Sequence, residues 1–390
     1  MTAHWLACSP PLAIPAHLPD RVDVAIIGGG LAGLAVAAEL AEGGASVALL
    51  EARADLAASI SGRDAGLALT GLGDNPYRLI AAIGAKTAGE ITAFTLENLD
   101  LIDAMGLLSR VGGLSIGVRN EAEEIPLTVE AAQTIGLQAE LWEAERVNAT
   151  LSSTGLGPAR FVPAEGLIDP RALAAALAAR ARAAGAVLMA GCPVTETTED
   201  DGILLHHPGG VLRAELVVLA AGSALTHIDP FLGDKLYPVR TQLLSLPAPA
   251  ARFTHASSAL FGYHFWRQTG DTVIVGGCRW ATPHMEVGET DDDATVPIIG
   301  QRIRGFIDQT FPDLAGQPTT AQWSAIMSFT CDGLPILGPV PGRPRFVVCA
   351  GFNGRQYGLA LRAAQAVAQG MLTGQADGVP DCFKTGRFVG

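Results

Sequence analysis

The sequence predicts a mixed α/β chain in which a doubly wound parallel sheet is interleaved with an antiparallel one. Three observations carry this. Residues 22–51 read strand, glycine turn, helix, strand. Between Pro238 and Val275 the pattern changes to longer, alternating strands, and residues 346–354 return to a strand followed by a glycine turn. Sheet and helices of the first kind belong to parallel βαβ units, and strands of the second kind to antiparallel ones.

Each element follows from its residues. VDVAII at 22–27 is a short apolar run ending in Gly28-Gly29-Gly30, Leu31–Glu42 carries helix formers, and SVALLE at 46–51 is a second buried strand. A helix is expected over 88–105, with Ile91, Phe94, Leu101 and Met105 on one face. The stretch 110–160 mixes short strands with a helix. Asp169-Pro170 starts an Ala-rich helix reaching about Ala184, with Asp as N-cap and Pro at the first helical position. Strands are expected near 186–190, 203–206 and 216–220, then at 239–246 (VRTQLLSL), 262–268 (GYHFWRQ), 271–277 (DTVIVGG) and 319–327, with a helix at 295–310. An Ala-rich helix after the 351–354 turn closes the chain.

The 390 residues suffice for two or three domains. Hydrophobic residues make up 49% and charged ones 17%, which excludes an intrinsically disordered chain. The net charge of −13 disfavours nucleic acid and anionic membrane surfaces as partners. Six cysteines form no CxxC pair and have no His at ligand spacing, so no metal site is expected. Free thiols suit a reducing compartment. Pro10, Pro11 and Pro15 interrupt any signal-like helix around Cys8, and no apolar run reaches 18 residues, so a cytoplasmic protein without a membrane span is expected.

The motif with chemistry is Gly28-x-Gly30-x-x-Gly33 between strand and helix, with Glu51 ending the next strand. Gly28 permits the tight turn, Gly30 lets backbone N–H groups approach a pyrophosphate, and Gly33 allows helix and strand to pack closely. The helix start, at Leu31 and Ala32, offers partial positive charge to phosphates. Glu51, followed by Ala52 and Arg53, can accept both ribose hydroxyls and repels a 2′-phosphate, which argues against NADP. Two further glycine turns, Ala221-Gly222 and Gly351–Gly354, follow later strands. A cofactor held from both ends of the chain suits a long, permanently bound FAD better than NAD.

The chain resembles the D-amino-acid-oxidase-like flavoproteins, the group of sarcosine and glycine oxidases. The matching pieces are DVAIIGGGLAGLAVAAELAEGGASVALLEA, SGRDAGLAL at 61–69, GLIDPRAL at 166–173, LVVLAAGS at 216–223, TCDGLPILGP at 330–339 and GFNGRQYG at 351–358. The leader HWLACSPPLAIPAHLP and the string GFNGR are most similar to the γ-glutamylputrescine-oxidase-like branch. The resemblance implies a Rossmann-type FAD-binding domain (1–80, 156–236 and 326–390) interleaved with an antiparallel-sheet substrate domain (81–155 and 237–325). It places Ser61, Gly62 and Arg63 near the isoalloxazine, with Arg63 a partner for phosphate or flavin, and the backbone of Val194 near the adenine. It also implies that the turn of Gly351, Phe352, Asn353, Gly354, Arg355 and Gln356 begins a helix whose positive end faces the flavin pyrimidine. Gln356 stands where glycine is more usual, and Asp64 where Asn is.

The activity implied is an FAD-dependent oxidation of an amine. The hydride on the carbon next to nitrogen passes to flavin N(5), the imine hydrolyses, and dioxygen, a quinone or a carrier protein takes the electrons. An amino-acid or 2-hydroxy-acid dehydrogenase with a relocated carboxylate clamp is the runner-up, and a non-catalytic flavin-binding subunit the reading from another class. Where glycine and D-amino-acid oxidases place their carboxylate-binding Arg, and sarcosine oxidase its flavin-linking Cys, this chain has Met327. Noncovalent FAD is therefore expected, with Cys331 as the alternative thioether donor. Arg240 and Arg267 are the candidates for a relocated clamp. On the 262–268 strand, alternation puts Tyr263, Phe265 and Arg267 on one face, as pocket and catalytic candidates, and His264 and Trp266 on the other. Tyr263 aligns with an active-site Tyr of glycine oxidase, and His264 is a candidate proton acceptor.

Overall fold

The computed structural model describes residues 3–248, 251–375 and 378–389. The chain divides into two compact units. A parallel-sheet unit comprises Cys8–Gly62, Pro170–Pro238 and the residues from Met327 onward. An antiparallel unit comprises the N-terminus through Ala7, Arg63–Asp169 and Val239–Ile326.

In the parallel unit the strands Val187–Met189, Val47–Leu50, Arg21–Ile27, Gly210–Leu219 and Arg343–Ala350 lie side by side. Their registers align Met189 with Leu50, Leu50 with Ile27, Ile27 with Leu219 and Leu219 with Val348, all parallel. Strands ending level in this way send the loops after Ile27, Leu50, Leu219 and Ala350 out of one edge, where open α/β sheets bind ligands. Val24–Ile27 and Val47–Leu50 are wholly buried, as expected of strands covered on both faces. The helix Leu31–Glu42, which the Ala-rich sequence lets approach closely, packs against Pro170–Ala183 and Gln356–Thr373. The antiparallel strands Glu196–Asp200, Gly202–His207 and Ile336–Val340 extend this sheet.

In the antiparallel unit the sheet order is Ala321–Thr330, Leu236–Pro247, Thr272–Gly277, His264–Thr269, Ala256–Ala259, Gly113–Ile116, Ala159–Val162, Glu140–Trp142. Val239–Leu246 is buried throughout, so alternation here divides two cores rather than core from solvent. Leu244, Leu246, Trp266, Val273 and Val275 pack with Ile299, Ile303 and Ile307 of the helix Pro297–Thr310. Leu243 and Ile274 pack on the other face with Trp5, Ala65 and Trp323. A small sheet joins Leu67–Ala68, Gly166–Ile168 and Leu108–Ser109. Residues 63–80 and 156–169 fall in this unit, whereas the sequence division grouped them with the glycine-turn segments. The helices His4–Cys8 and Pro76–Ile83 were not expected, being short and proline-flanked.

Candidate functional site

In the parallel unit the glycine motif is a surface with no room for side chains. Gly28 has φ +112°, and a Cβ there would lie 2.7 Å from the carbonyl carbon and oxygen of Ala220. A Cβ on Gly33 would lie 1.9 Å from Gly28 O, so helix and turn touch backbone to backbone. At the helix start, Leu31 N donates to Ser61 Oγ at 3.1 Å, while the next first-turn N–H groups, on Ala32 and Gly33, have no acceptor within the helix. The Glu51 carboxylate is anchored by Gly29 N at 2.6 Å and Arg53 N at 2.8 Å. Cys192 N donates to Glu51 O and Gly191 N to Arg53 O, which carries half-buried Val194 alongside the same edge, past Ala52.

The two later turns meet at Ser328. A Cβ on Gly222 would lie 3.5 Å from Ser328 Cβ, and Asn353 N donates to Ser328 O at 3.0 Å. Gly351, Asn353 and Gly354 have φ of +79°, +51° and +77°. Asn353 holds this strained turn: its Oδ1 accepts from Thr330 N at 2.8 Å and its Nδ2 donates to Gly351 O at 2.9 Å. Met327 Sδ packs 3.1 Å from where a Gly354 Cβ would stand. Among the described residues Ser328 Oγ is buried with no hydrogen-bond partner, and a ligand hydroxyl or carbonyl would satisfy it. Gln356, with Nε2 directed at Ile60 O, and Tyr357, donating to Ser61 O at 3.2 Å, tie the closing helix to the 60–61 backbone. A Cβ-free cradle at a helix N-terminus, a fixed acid one strand over and an orphaned hydroxyl beside two further turns together fit a dinucleotide such as FAD.

The antiparallel unit holds the remaining sequence candidates, and it corrects several. Arg63 forms an ion pair with Asp292 at 3.6 Å and donates to Asp292 O and Ser324 O, so its guanidinium is engaged by protein rather than presented to a phosphate. Arg240 is buried, with Nε 2.6 Å from Glu286 Oε2 and Nη1 donating to Asp291 O at 3.1 Å. Arg267, also buried, donates to the carbonyls of Ala65, Gly66 and Ile168, with the Trp5 ring 5.1 Å from its Cζ. Neither is placed as a carboxylate clamp.

Alternation holds for Phe265 and Arg267, which face the Trp5 side, and for His264 and Trp266, which face the Pro297–Thr310 helix. It does not govern Tyr263, because the strand begins at His264; Leu260 and Phe261 have positive φ and form the preceding turn. Tyr263 lies instead under Arg279, whose Cζ is 4.6 Å from the ring and whose Nη2 donates to the hydroxyl at 3.2 Å. His264 sits 4.3 Å from the Phe306 ring and 3.7 Å from Cys278 Sγ. Burial first, and the charge of Arg119 second, lower its pKa to about 4, while burial pushes the Cys278 thiol up to about 12. Its ring packs against Phe306, and the burial that lowers its pKa disfavours the charged imidazolium.

Sequence reasoning missed Ser328, Trp5, Trp323 and Tyr357, whose partners lie far along the chain. Among the described residues no His, Cys, Asp and Glu group can hold a metal, and no helix is long and apolar enough to cross a membrane.

Comparison with known proteins agrees with this geometry. The family described as FAD dependent oxidoreductase matches residues 23–370. The chain is 27% identical to the glycine oxidase of Geobacillus kaustophilus over 352 residues, covering 86% of this chain and 88% of that one. It is 26% identical to human mitochondrial sarcosine dehydrogenase, covering 92% of this chain and 40% of that longer protein. The crystal structure of the Geobacillus glycine oxidase superposes with a TM-score of 0.80 at 22% identity, over 95% of this chain and all of that one. The chain belongs to the D-amino-acid-oxidase-like family of FAD-dependent oxidoreductases.

Proposed function

We propose that the enzyme oxidises an amine at the carbon next to nitrogen, and that this amine does not depend on a carboxylate at that carbon. The observation carrying this is the fate of the cations. By the resemblance, Met327 stands where such relatives carry a carboxylate-binding Arg, and Arg240 and Arg267 both bond to protein acceptors. Glycine oxidase, by its name, oxidises glycine.

In this reading the parallel unit holds FAD and the antiparallel unit holds substrate. The helix start at Gly30–Gly33 receives the pyrophosphate, Glu51 a ribose, and the Val194 backbone the adenine. Ser61, Gly62, Ala221, Gly222, Ser328 and the turn Gly351–Gln356 border the flavin end. When bound, FAD supplies the two-electron acceptor for the substrate hydride. The protein's share is to orient the amine, exclude water and fix the turn dipoles, with Tyr263 and Phe265 offering ring faces to a cation or neutral amine. Met327 and exposed Cys331 support noncovalent FAD. Acid precipitation tests this: flavin is expected in the supernatant, and flavin retained in the pellet refutes it.

A second reading has its own observation. Arg279, stacked on Tyr263 and bonded to Met285 O, is a cation beside that Tyr and would serve a carboxylate in a relocated clamp. Anaerobic mixing with glycine, sarcosine, D-alanine, putrescine and N-alkylated amines separates the two. Fast bleaching by amines supports the first reading. Faster bleaching by any α-amino acid than by every amine overturns it in favour of Arg279.

A further inference from the structure

Within the parallel unit, the loop that begins at Glu51 is held from outside itself. Residues 51–58 form neither helix nor strand. The two ends of this loop grip one residue of the glycine motif: Glu51 Oε2 accepts from Gly29 N at 2.6 Å, and Ala57 N donates to Gly29 O at 2.8 Å. Leu56 fills the space beside it, with Cδ2 2.9 Å from where a Gly29 Cβ would stand. Ala57 has φ +51°, a strained conformation that its surroundings must impose. Between those ends, Asp55 gathers four donors. Its Oδ1 accepts from Leu12 N and Ala13 N, at 2.7 Å each, and from Leu56 N at 2.9 Å. Its Oδ2 pairs with Arg171 Nη2 at 2.7 Å. Arg171, 2% exposed, also donates to Leu56 O at 2.7 Å and to Pro10 O at 2.9 Å. Arg182 holds the same leader at Leu12 O, at 2.7 Å. Residues 10–19 have no helix or strand of their own, so the leader is tied to the loop through Asp55 and Arg171. All of these residues belong to one compact unit.

We propose that Asp55 is a positioning residue for the ribose end of the dinucleotide, with Arg171 and the leader stretch Pro10–Ala13 as its support. It fixes the loop from Glu51 to Ala57, so that the Glu51 carboxylate and the Gly29 turn hold their shape before the cofactor arrives. The proposal rests on the reading above that Glu51 receives a ribose of FAD. Asp55 acts through the backbone it holds rather than on the cofactor. A loop ordered in advance has less entropy to lose on binding, and the affinity is higher by that amount. The leader, 43 positions before Asp55 at Leu12, is thereby part of the cofactor site.

The test measures dissociation constants of the apoprotein for FAD and for ADP, which carries the adenosine end without the flavin. Asp55→Ala removes all four contacts, and it is expected to weaken both ligands about tenfold. Asp55→Asn keeps Oδ1 for the three backbone N–H groups and loses only the ion pair, so part of the affinity should return. Ala13→Pro removes one leader donor without touching the loop, and about threefold weaker binding of both ligands is expected. At saturating FAD, the visible circular dichroism of the flavin should match the parent in every variant. Parental ADP and FAD affinity in Asp55→Ala overturns the proposal, even with a lowered melting temperature, since that is what a purely structural role gives. Altered flavin dichroism with intact ADP affinity overturns it as well, by moving the effect to the flavin end. Should Asp55→Ala fail to fold, Ala13→Pro decides by the same criteria. Glu51→Ala is the control for the underlying reading. If it leaves ADP affinity unchanged, the ribose assignment fails and the proposal with it; if it weakens ADP while Asp55→Ala does not, the proposal alone fails.

Discussion

Glu286→Gln decides whether Arg240 is a structural ion or a substrate clamp. Arg240 and Glu286 side chains are 7% and 6% exposed, and their Nε–Oε2 distance is 2.6 Å. Their backbones are also paired, with Arg240 N donating to Glu286 O at 3.0 Å. Glu289, at 3.5 Å from Nη2, is half-exposed and cannot replace the buried partner. Breaking one side of such a pair leaves an uncompensated buried charge, which costs about 3–5 kcal/mol. Unfolding entropy of about 2.1 cal/mol/K per residue gives about 0.8 kcal/mol/K for 390 residues. Unfolding in one transition, Glu286→Gln should therefore melt about 4–6 °C lower. The double variant Arg240→Met/Glu286→Met should recover most of that loss, because a packed apolar pair of similar volume needs no desolvation. Thermal melts of the FAD-saturated proteins measure both, and flavin reduction by the amine panel checks that chemistry persists. A double variant that melts like the parent but no longer reacts with its substrate would refute the structural assignment and make Arg240 a clamp.

Gly33→Ala should yield colourless protein, because its Cβ would stand 1.9 Å from Gly28 O and force helix and turn apart; one FAD per chain in the purified variant contradicts this. Tyr263→Ala should keep its FAD and reduce it about tenfold to a hundredfold more slowly with amines, since the ring under Arg279 is lost; parental rates would remove Tyr263 from the pocket. His264 gives a pH signature. Burial lowers its folded pKa to about 4, below the ordinary imidazole value of about 6.5, so the unfolded chain binds the extra proton. Its contribution to stability is complete above about pH 6.5 and is lost as pH falls toward 4, about 3 kcal/mol in all. His264→Phe should flatten that limb of the stability curve, and an unchanged acid limb would show that the imidazole is not buried neutral.

The parts legible in the sequence are those whose reasons are local. Gly28, Gly30, Gly33 and Glu51 announce themselves because a tight turn, a close backbone approach and an acid one strand later are all set within thirty residues. The strands at 22–27, 46–51 and 216–220 were equally plain, being apolar runs covered on both faces. Side-chain allegiance was not legible. Arg63 finds Asp292 and Ser324, Arg240 finds Glu286, and Arg267 finds Ala65 and Ile168, across 46 to 261 positions of sequence. Alternation located the face of Phe265 correctly but was extended one residue too far, to Tyr263, since nothing in GYHFWRQ marks the left-handed turn at Leu260 and Phe261. Trp5 sits in a leader whose prolines signal only an interrupted helix, and nothing local shows that Asp55 accepts from the backbones of Leu12 and Ala13 or that Arg171 donates to Pro10 O.

The allocation of cations also bears on selectivity. Carboxylates outnumber Lys and Arg by 39 to 26, so buried guanidinia in this chain have abundant protein acceptors. Arg63 and Arg240 are held by carboxylates, and Arg267 by backbone carbonyls. A pocket without a dedicated cation discriminates unequally. An extra methylene changes binding by only about 1–3 kcal/mol, so related amines should be accepted within factors of about 10–200. A carboxylate beside the reacting carbon, desolvated and unpaired, costs several kcal/mol more. The expected profile is therefore broad across alkyl chain length and sharply cut at the α-carboxylate. Ratios of kcat/KM for putrescine, its longer homologues and the matching α-amino acids measure it. A profile cut instead by chain length, with α-amino acids preferred, would show that Arg279 supplies the charge that Met327 lacks.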